Sequence, residues 1–363
     1  MSKGMSLQEL AVELERQKNA KRDFMADTKE LRVEPNEASP TNLSLHIGQQ
    51  DQFPINKHAV RQIGARLEIP AKYVDRLAEK HPDLLAWNVN TLFEREPETR
   101  MVRVLDDNVR AFLSERFRPL DNFDFANAVL PKLIETGCEV KSCEITESRL
   151  YIKAFRPGVE REIKKPGTHM GDGGHNVIHK LRPGLCLSNS EVGAGSMAVQ
   201  PGVDEEWCSN LALFSKNAMK KYHVGRKQGN DQESMWEIFT DATKRASDKA
   251  FWLQVADLVD ASLDGDLFEQ MVAECEAKML GTEIVKPSVA IKELANLSET
   301  EEEGILAELI KGGDLSQFGM QYAVTRFAQA RDVSYDRQVE LEQLGGNIIE
   351  LPTKDWERIA LAA

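Results

Sequence analysis

Two runs of alternating apolar and polar residues, CEVKSCEI (138–145) and RLYIKAF (149–155), flank a Thr-Glu-Ser turn. Alternation at period two sends every second side chain to one face, and so short a connection joins only antiparallel strands. Ahead of them RMVRVLDD reads as a strand ending in an Asp-Asp-Asn turn, and VRAFLSERF as a short mixed segment. Residues 123–136 space Phe125, Val129, Leu133 and Ile134 along one side of a helix, with Gly137 where a C-cap glycine belongs. Strand, helix and hairpin in that order predict an α+β fold with a mixed or antiparallel β-sheet core.

The flanks read as helical. Residues 6–20 carry a Ser6/Glu9 capping box and Leu7, Leu10 and Leu14 on one face. After a polar stretch around Pro35 and Pro40, TNLSLHIG is a short strand candidate. Helices follow from Asn56, from Pro70 and over 84–93. Beyond the hairpin, residues 166–174 form a glycine-rich loop, and VIHKL, GLCLS, SMAVQ and the run before Cys208 read as strands. From residue 211 the spacing is helical: 211–222, 233–262, 264–280, 300–311, 316–330 and 335–343, with a linker over 281–299. Gly345-Gly346 stops the last helix before a short NIIELP strand. The predicted organisation is a helical N-terminal region (1–98), an α+β core (99–230) and an acidic helical C-terminal region (231–363).

Charge is distributed unevenly over the 363 residues. The net charge of −13 resolves into −1 for residues 1–100, +3 for 101–230 and −15 for 231–363. Only the middle third favours an anionic partner. No run approaches the 18 apolar residues a membrane span needs, and the start lacks the apolar core of a secretory leader. Five cysteines without framework spacing fit reduced thiols, so a cytoplasmic protein without a membrane partner is expected.

Three groups of residues could carry chemistry. Lys216, Lys220, Lys221, Arg226 and Lys227 surround Tyr222 and His223, with Lys216 and Lys220 spaced to share a helix face; Arg110, Arg116 and Arg118 form a second, sparser group around Phe117. Cations with an interleaved aromatic suit phosphate tracking and base stacking. The run Asn189, Ser190, Glu191, Gly193, Gly195 and Ser196, with Asn210 downstream, could offer backbone N–H groups to an anion or simply form a tight turn. It lacks the spacing of a P-loop or a nucleophile elbow. His169, Asp172, His175 and His179 could bind a metal, with Glu191 as a base. Asn-Val-Ile between His175 and His179 favours a strand, which would hold those histidines about 13 Å apart.

The segments VRAFLSERFRPLDN, ESRLYIKA, GLCLSNSEVGAGS, WCSNLAL and YHVG resemble the phage- and plasmid-borne family described as domain of unknown function 932. GDLSQFGMQYAVTRFAQ and ELEQLGG are similar to the tails of its longer phage members, so the resemblance spans roughly residues 55–350. The family often has tyrosine where Phe117 stands and glycine where Leu211 stands. The resemblance implies a mobile-element origin among replication and recombination genes, and by analogy of fold a single-strand annealing protein.

The expected function is non-catalytic binding or annealing of single-stranded nucleic acid by the core, without a cofactor and with homo-oligomerisation possible. The alternatives are a metal-dependent hydrolase or nuclease, and a module that binds a host or phage protein through its acidic tail.

Overall fold

The computed structural model describes residues 4–48, 51–117, 119–163, 179–205, 210–216, 218–221, 241–294 and 296–362. Helix α1 (Leu7–Ala20) starts with the predicted capping box, and its buried Leu10 and Leu14 face the core. Strands β1 (Arg22–Asp27), β2 (Leu31–Pro35), β3 (Leu43–Ile47) and β4 (Asp51–Pro54) precede helices α2 (Lys57–Arg66), α3 (Ala71–Lys80) and α4 (Pro82–Arg95). The lead-in therefore carries its helices and four strands besides. Only β3 was legible: β1 buries little beyond Ala26, and β4 is four residues long.

Strands β5 (Thr99–Leu105) and β6 (Asn108–Ser114) form a hairpin, with Asp106 and Asp107 in the left-handed conformation at its turn. VRAFLSERF is thus mostly a strand. Its partner β5 also takes β1 on its other edge, giving the antiparallel order β1-β5-β6, while β2-β3-β4 is a second antiparallel sheet. Helices α2 to α4 and both sheets enclose one apolar cluster.

Helix α5 (Asn122–Glu135) ends at Gly137, whose φ of +73° confirms the C-cap. Its Ile134 is 68% exposed rather than inward, because it lies off the stripe of Phe125, Val129 and Leu133. The hairpin forms as predicted: β7 (Glu139–Ile145) pairs with β8 (Leu150–Phe155). Strand β9 (Arg161–Ile163) pairs with the start of β10 (His179–Asn189), which carries the predicted HKL and GLCLS segments as one strand. Strand β11 (Met197–Glu205) lies beside β10, and the sheet order is β12-β11-β10-β8-β7, antiparallel throughout.

Strands β12 (Leu211–Leu213) and β13 (Met219–Lys221) both pair with β11, so residues 211–222 are not the expected helix. Leu211 to Phe214 are all buried, and so short an apolar run suits a buried strand as well as a helix; the open edge of β11 decides it.

Among the described residues seven helices follow: α6 (Asp241–Ser262), α7 (Gly265–Met279), α8 (Pro287–Leu294), α9 (Glu299–Gly312), α10 (Gln317–Ala328), α11 (Tyr335–Glu350) and α12 (Thr353–Ala360). The expected linker over 281–299 thus holds α8. Helix α11 runs through Gly345-Gly346 and takes in most of the expected NIIELP strand. A Cβ at Gly346 would fall on the Leu213 backbone, and one at Gly345 on the Thr325 side chain. These glycines notch a helix for close packing rather than stop it. No described helix is long and apolar enough to cross a membrane.

Alternation along the strands divides the central sheet. Ile152, Leu187 and Val199 pack with α1, α5 and α6 on one face. On the other face the register aligns Lys153, Cys186 and Gln200 across β8, β10 and β11, and the acidic tail covers them. Lys153 Nζ meets Glu342 at 2.7 Å, with both side chains buried, and Gln338 and Gln329 donate to the same carboxylate. Tyr151 donates to Asp336 at 2.8 Å, and Gln343 donates to Gln200. Burial pushes the Cys186 thiol up to about 12, so it packs here as an inert group.

Removing one partner of a buried ion pair strands the other. Lys153→Met should cost about 3–5 kcal/mol in urea unfolding, and the double variant Lys153→Met/Glu342→Leu should recover most of the loss. Equal stability of the single variant and the wild type would refute this role for the pair.

Candidate functional site

The Asn189–Ser196 run joins β10 to β11, where the N-terminal sheets meet the central one. Arg103, in the middle of β5, anchors it. The guanidinium has no exposed surface and bonds both Asp23 carboxylate oxygens, Asp121 Oδ1 and the Glu191 carbonyl, each at 2.9 Å. Lys21 also pairs with Asp121. Burial alone would push the Asp121 carboxyl up, but Arg103 and Lys21 outweigh it and hold the group below its ordinary value.

The loop turns its carbonyls onto donors. Val192 O accepts from Gln62 Nε2 at 2.7 Å and lies 3.0 Å from His58 Nε2, and Ala194 O accepts from Arg149 Nη2 at 3.0 Å. The Ala194 N–H is taken by Ser190 Oγ, which itself donates to Ser148 O. Asn189 is fully buried and donates to Leu120 O and Asn122 Oδ1. Asn189 and Ser190 hold the turn, the Ala194 N–H is spent within it, and Gly193 (φ +74°) and Gly195 let it close. Ser196 is half-buried just ahead of β11. Asn210 sits past the far end of β11, about 27 Å along the strand, so it belongs to no common site with the loop.

Glu191 is the residue the loop presents. Its Oε1 accepts the Asn122 N–H at 2.5 Å, and its Oε2 stands 2.6 Å from Arg110 Nη2. That second contact is a charge pair without hydrogen-bond alignment, and Arg110 Nε, also buried, has no partner. A cleft of about 170 Å³ opens above the pair, bordered by Arg110, Arg149, Asn56, Asn108, Asn122 and Glu147. Asn56 and Asn122 spend their amide oxygens on the Ala59 N–H and on Asn189. Their amide NH₂ groups and Arg110 Nε leave the cleft rich in donors. No histidine or cysteine lines it; its hydroxyls are those of Thr146 and Ser148, and its carboxylates those of Glu147 and Glu191.

Of the predicted basic group, Lys216, Lys220 and Lys221 fall within the described residues. Lys216 lies in a turn, its N–H bonded to Glu350 and its Nζ 3.3 Å from Glu274, so the acidic tail neutralises it. Lys220 and Lys221 are in β13 rather than on a shared helix face with Lys216, because the edge of β11 captured that segment. Arg116 is exposed in the turn after β6, and Phe117 beside it packs under Val192. Arg118, Arg226 and Lys227 lie outside the described residues, as do His169, Asp172 and His175. His179 is in β10 with Nδ1 2.7 Å from Glu205. Among the described residues no group of three or more His, Cys, Asp or Glu side chains could hold a metal.

Sequence reasoning located the loop but missed Arg103, Arg110 and Arg149 as its partners. Arg110 was visible only as a member of the sparse arginine group near Phe117, and nothing in the spacing joined residues 103, 149 and 191. No protein-family model, curated protein or solved structure matches the chain.

Two outcomes are expected. Because the Asp121 carboxyl is held low, its ionisation favours the fold. That contribution is complete above roughly pH 4, the unfolded value, and is lost as pH falls through the folded value. Arg103→Met should cost about 3–5 kcal/mol at pH 7 and flatten the pH dependence of unfolding below pH 4; an unchanged acid limb would refute it. A Cβ at Gly195 would overlap the Arg149 guanidinium, which is the flexible end of a side chain. The Gly195 φ of +158° adds backbone strain, so Gly195→Ala should displace Arg149 from Ala194 O and cost about 1–3 kcal/mol in urea unfolding. A crystal structure of the variant with Arg149 in place would contradict this.

Proposed function

We propose that the chain is a non-catalytic single-stranded nucleic-acid-binding protein of phage or plasmid DNA metabolism, and that the cleft above Glu191 receives one nucleotide unit of the strand. The observation that carries this reading is the convergence of unspent donors from Arg110, Asn56 and Asn122, beside Arg149, on a space of about 170 Å³. An acceptor-rich group of that size suits it, and phosphate and base carbonyls are such groups. The Arg149 guanidinium has only the Ala194 carbonyl as its hydrogen-bond partner among the described residues and is the phosphate contact. Arg116, in the turn beside the loop, extends the track. The positive balance of residues 101–230 supports the same reading, and the resemblance to a mobile-element family supplies the setting.

The acidic tail does not oppose this. The carboxylates of Asp336, Glu342 and Glu350 are spent on Tyr151, Lys153 and the 215–216 turn, with Asp336 also accepting from Thr146 at the edge of the cleft.

Band-shift titration of a single-stranded oligonucleotide at several salt concentrations tests the reading. Affinity should fall steeply with salt. Arg149→Ala should weaken binding across sequences alike and lower the log–log salt slope by about one. Absence of any shift at low salt would remove the proposal.

A further inference from the structure

At the opposite end of the central sheet, His179 opens β10 and Glu205 closes β11. His179 Nδ1 stands 2.7 Å from a Glu205 carboxylate oxygen, and both residues are more than nine-tenths buried. Phe318 and Tyr322 hold the imidazole edge-on, with ring centroids 5.1 and 5.2 Å away. Nε2 has no hydrogen-bond partner among the described residues, and the ring borders a cavity of about 180 Å³.

The remaining walls carry charges of both signs, Lys311 and Arg326 against Glu308 and Asp314. Phe318 and Gly319 bring the first turn of α10, with its partial positive charge, to the cavity. Lys311 and Arg326 also line it, and Glu308 stands 3.8 Å from each, beyond hydrogen-bond range. The Asp314 carboxylate is bonded by the Ser316 N–H and hydroxyl at 3.0 and 2.9 Å.

We propose that this cavity is a second binding site, for a small oxyanion of the phosphate class, with His179 Nε2 and Lys311 as its principal contacts. The Glu205 carboxylate fixes the proton on Nδ1. A neutral ring then accepts the P–OH of a hydrogen phosphate through Nε2, and a protonated ring donates to the dianion; either way it meets a phosphate oxygen. The amino end of α10 adds the electrostatics that favour an anion. Among the described residues no group of three or more His, Cys, Asp or Glu side chains could hold a metal ion here. The space takes a phosphate group and little more, so a free phosphate or the terminal phosphate of a nucleotide can enter and a continuous strand cannot. This inference is independent of the nucleic-acid reading, which rests on the other end of the sheet.

The test is calorimetric titration of the full chain with inorganic phosphate, against chloride at equal ionic strength. Saturable phosphate binding is expected. Lys311→Ala, at a side chain 70% exposed and so harmless to the fold, and His179→Gln should each weaken it at least fivefold. Weakening by either variant that keeps the wild-type melting temperature supports the site, and Arg149→Ala should leave it unchanged. Competition by a 5′-phosphorylated mononucleotide but not by its nucleoside would identify a terminal phosphate as the ligand; no competition would identify free phosphate. Indistinguishable heats for phosphate and chloride, or phosphate binding unaltered in both variants, would overturn the proposal.

Discussion

Arg103 draws three separate stretches of chain to one guanidinium: Asp23 from β1, Asp121 at the start of α5 and the Glu191 carbonyl from the β10–β11 loop. A charge with no exposed surface is tolerable only when its donors are spent on partners in good geometry. Here two carboxylates and a carbonyl supply them. The same arrangement joins the N-terminal sheets to the central one and fixes how Glu191 points, so the shape of the cleft follows from an interaction that does not line it.

The opposite face of the central sheet presents the converse problem. Strand alternation leaves Lys153, Tyr151 and Gln200 facing away from the apolar layer of α1, α5 and α6. The acidic tail covers them with Glu342, Asp336 and Gln343. A net charge of −15 over residues 231–363 therefore overstates the field the tail presents, because several of its carboxylates are spent inside the protein. The same docking pairs Lys216 with Glu274.

The Ser-Asn-Ser-Glu-Val-Gly run was legible as a special turn, since small polar residues and glycines after an apolar strand permit little else. Its orientation was not. Whether its carbonyls or its N–H groups face a neighbour depends on Arg103, Gln62 and Arg149, which lie up to about 130 residues away in sequence. Gly345-Gly346 failed for the same reason. Local propensity makes a glycine pair a helix stop, but contact with the Leu213 backbone makes it a packing notch.

The linear chain by itself determined the antiparallel hairpin of β7 and β8, the capped helices α1 and α5, the α+β class and the uneven charge. Each of these follows from side-chain periodicity or a cap within a few residues. Tertiary structure alone decided that Leu211–Leu213 is a strand, that the tail covers the sheet, and that Arg110, Arg149 and Glu191 share a cleft. Those outcomes turn on strand edges and buried charges that must find partners, and the partners come from remote parts of the chain.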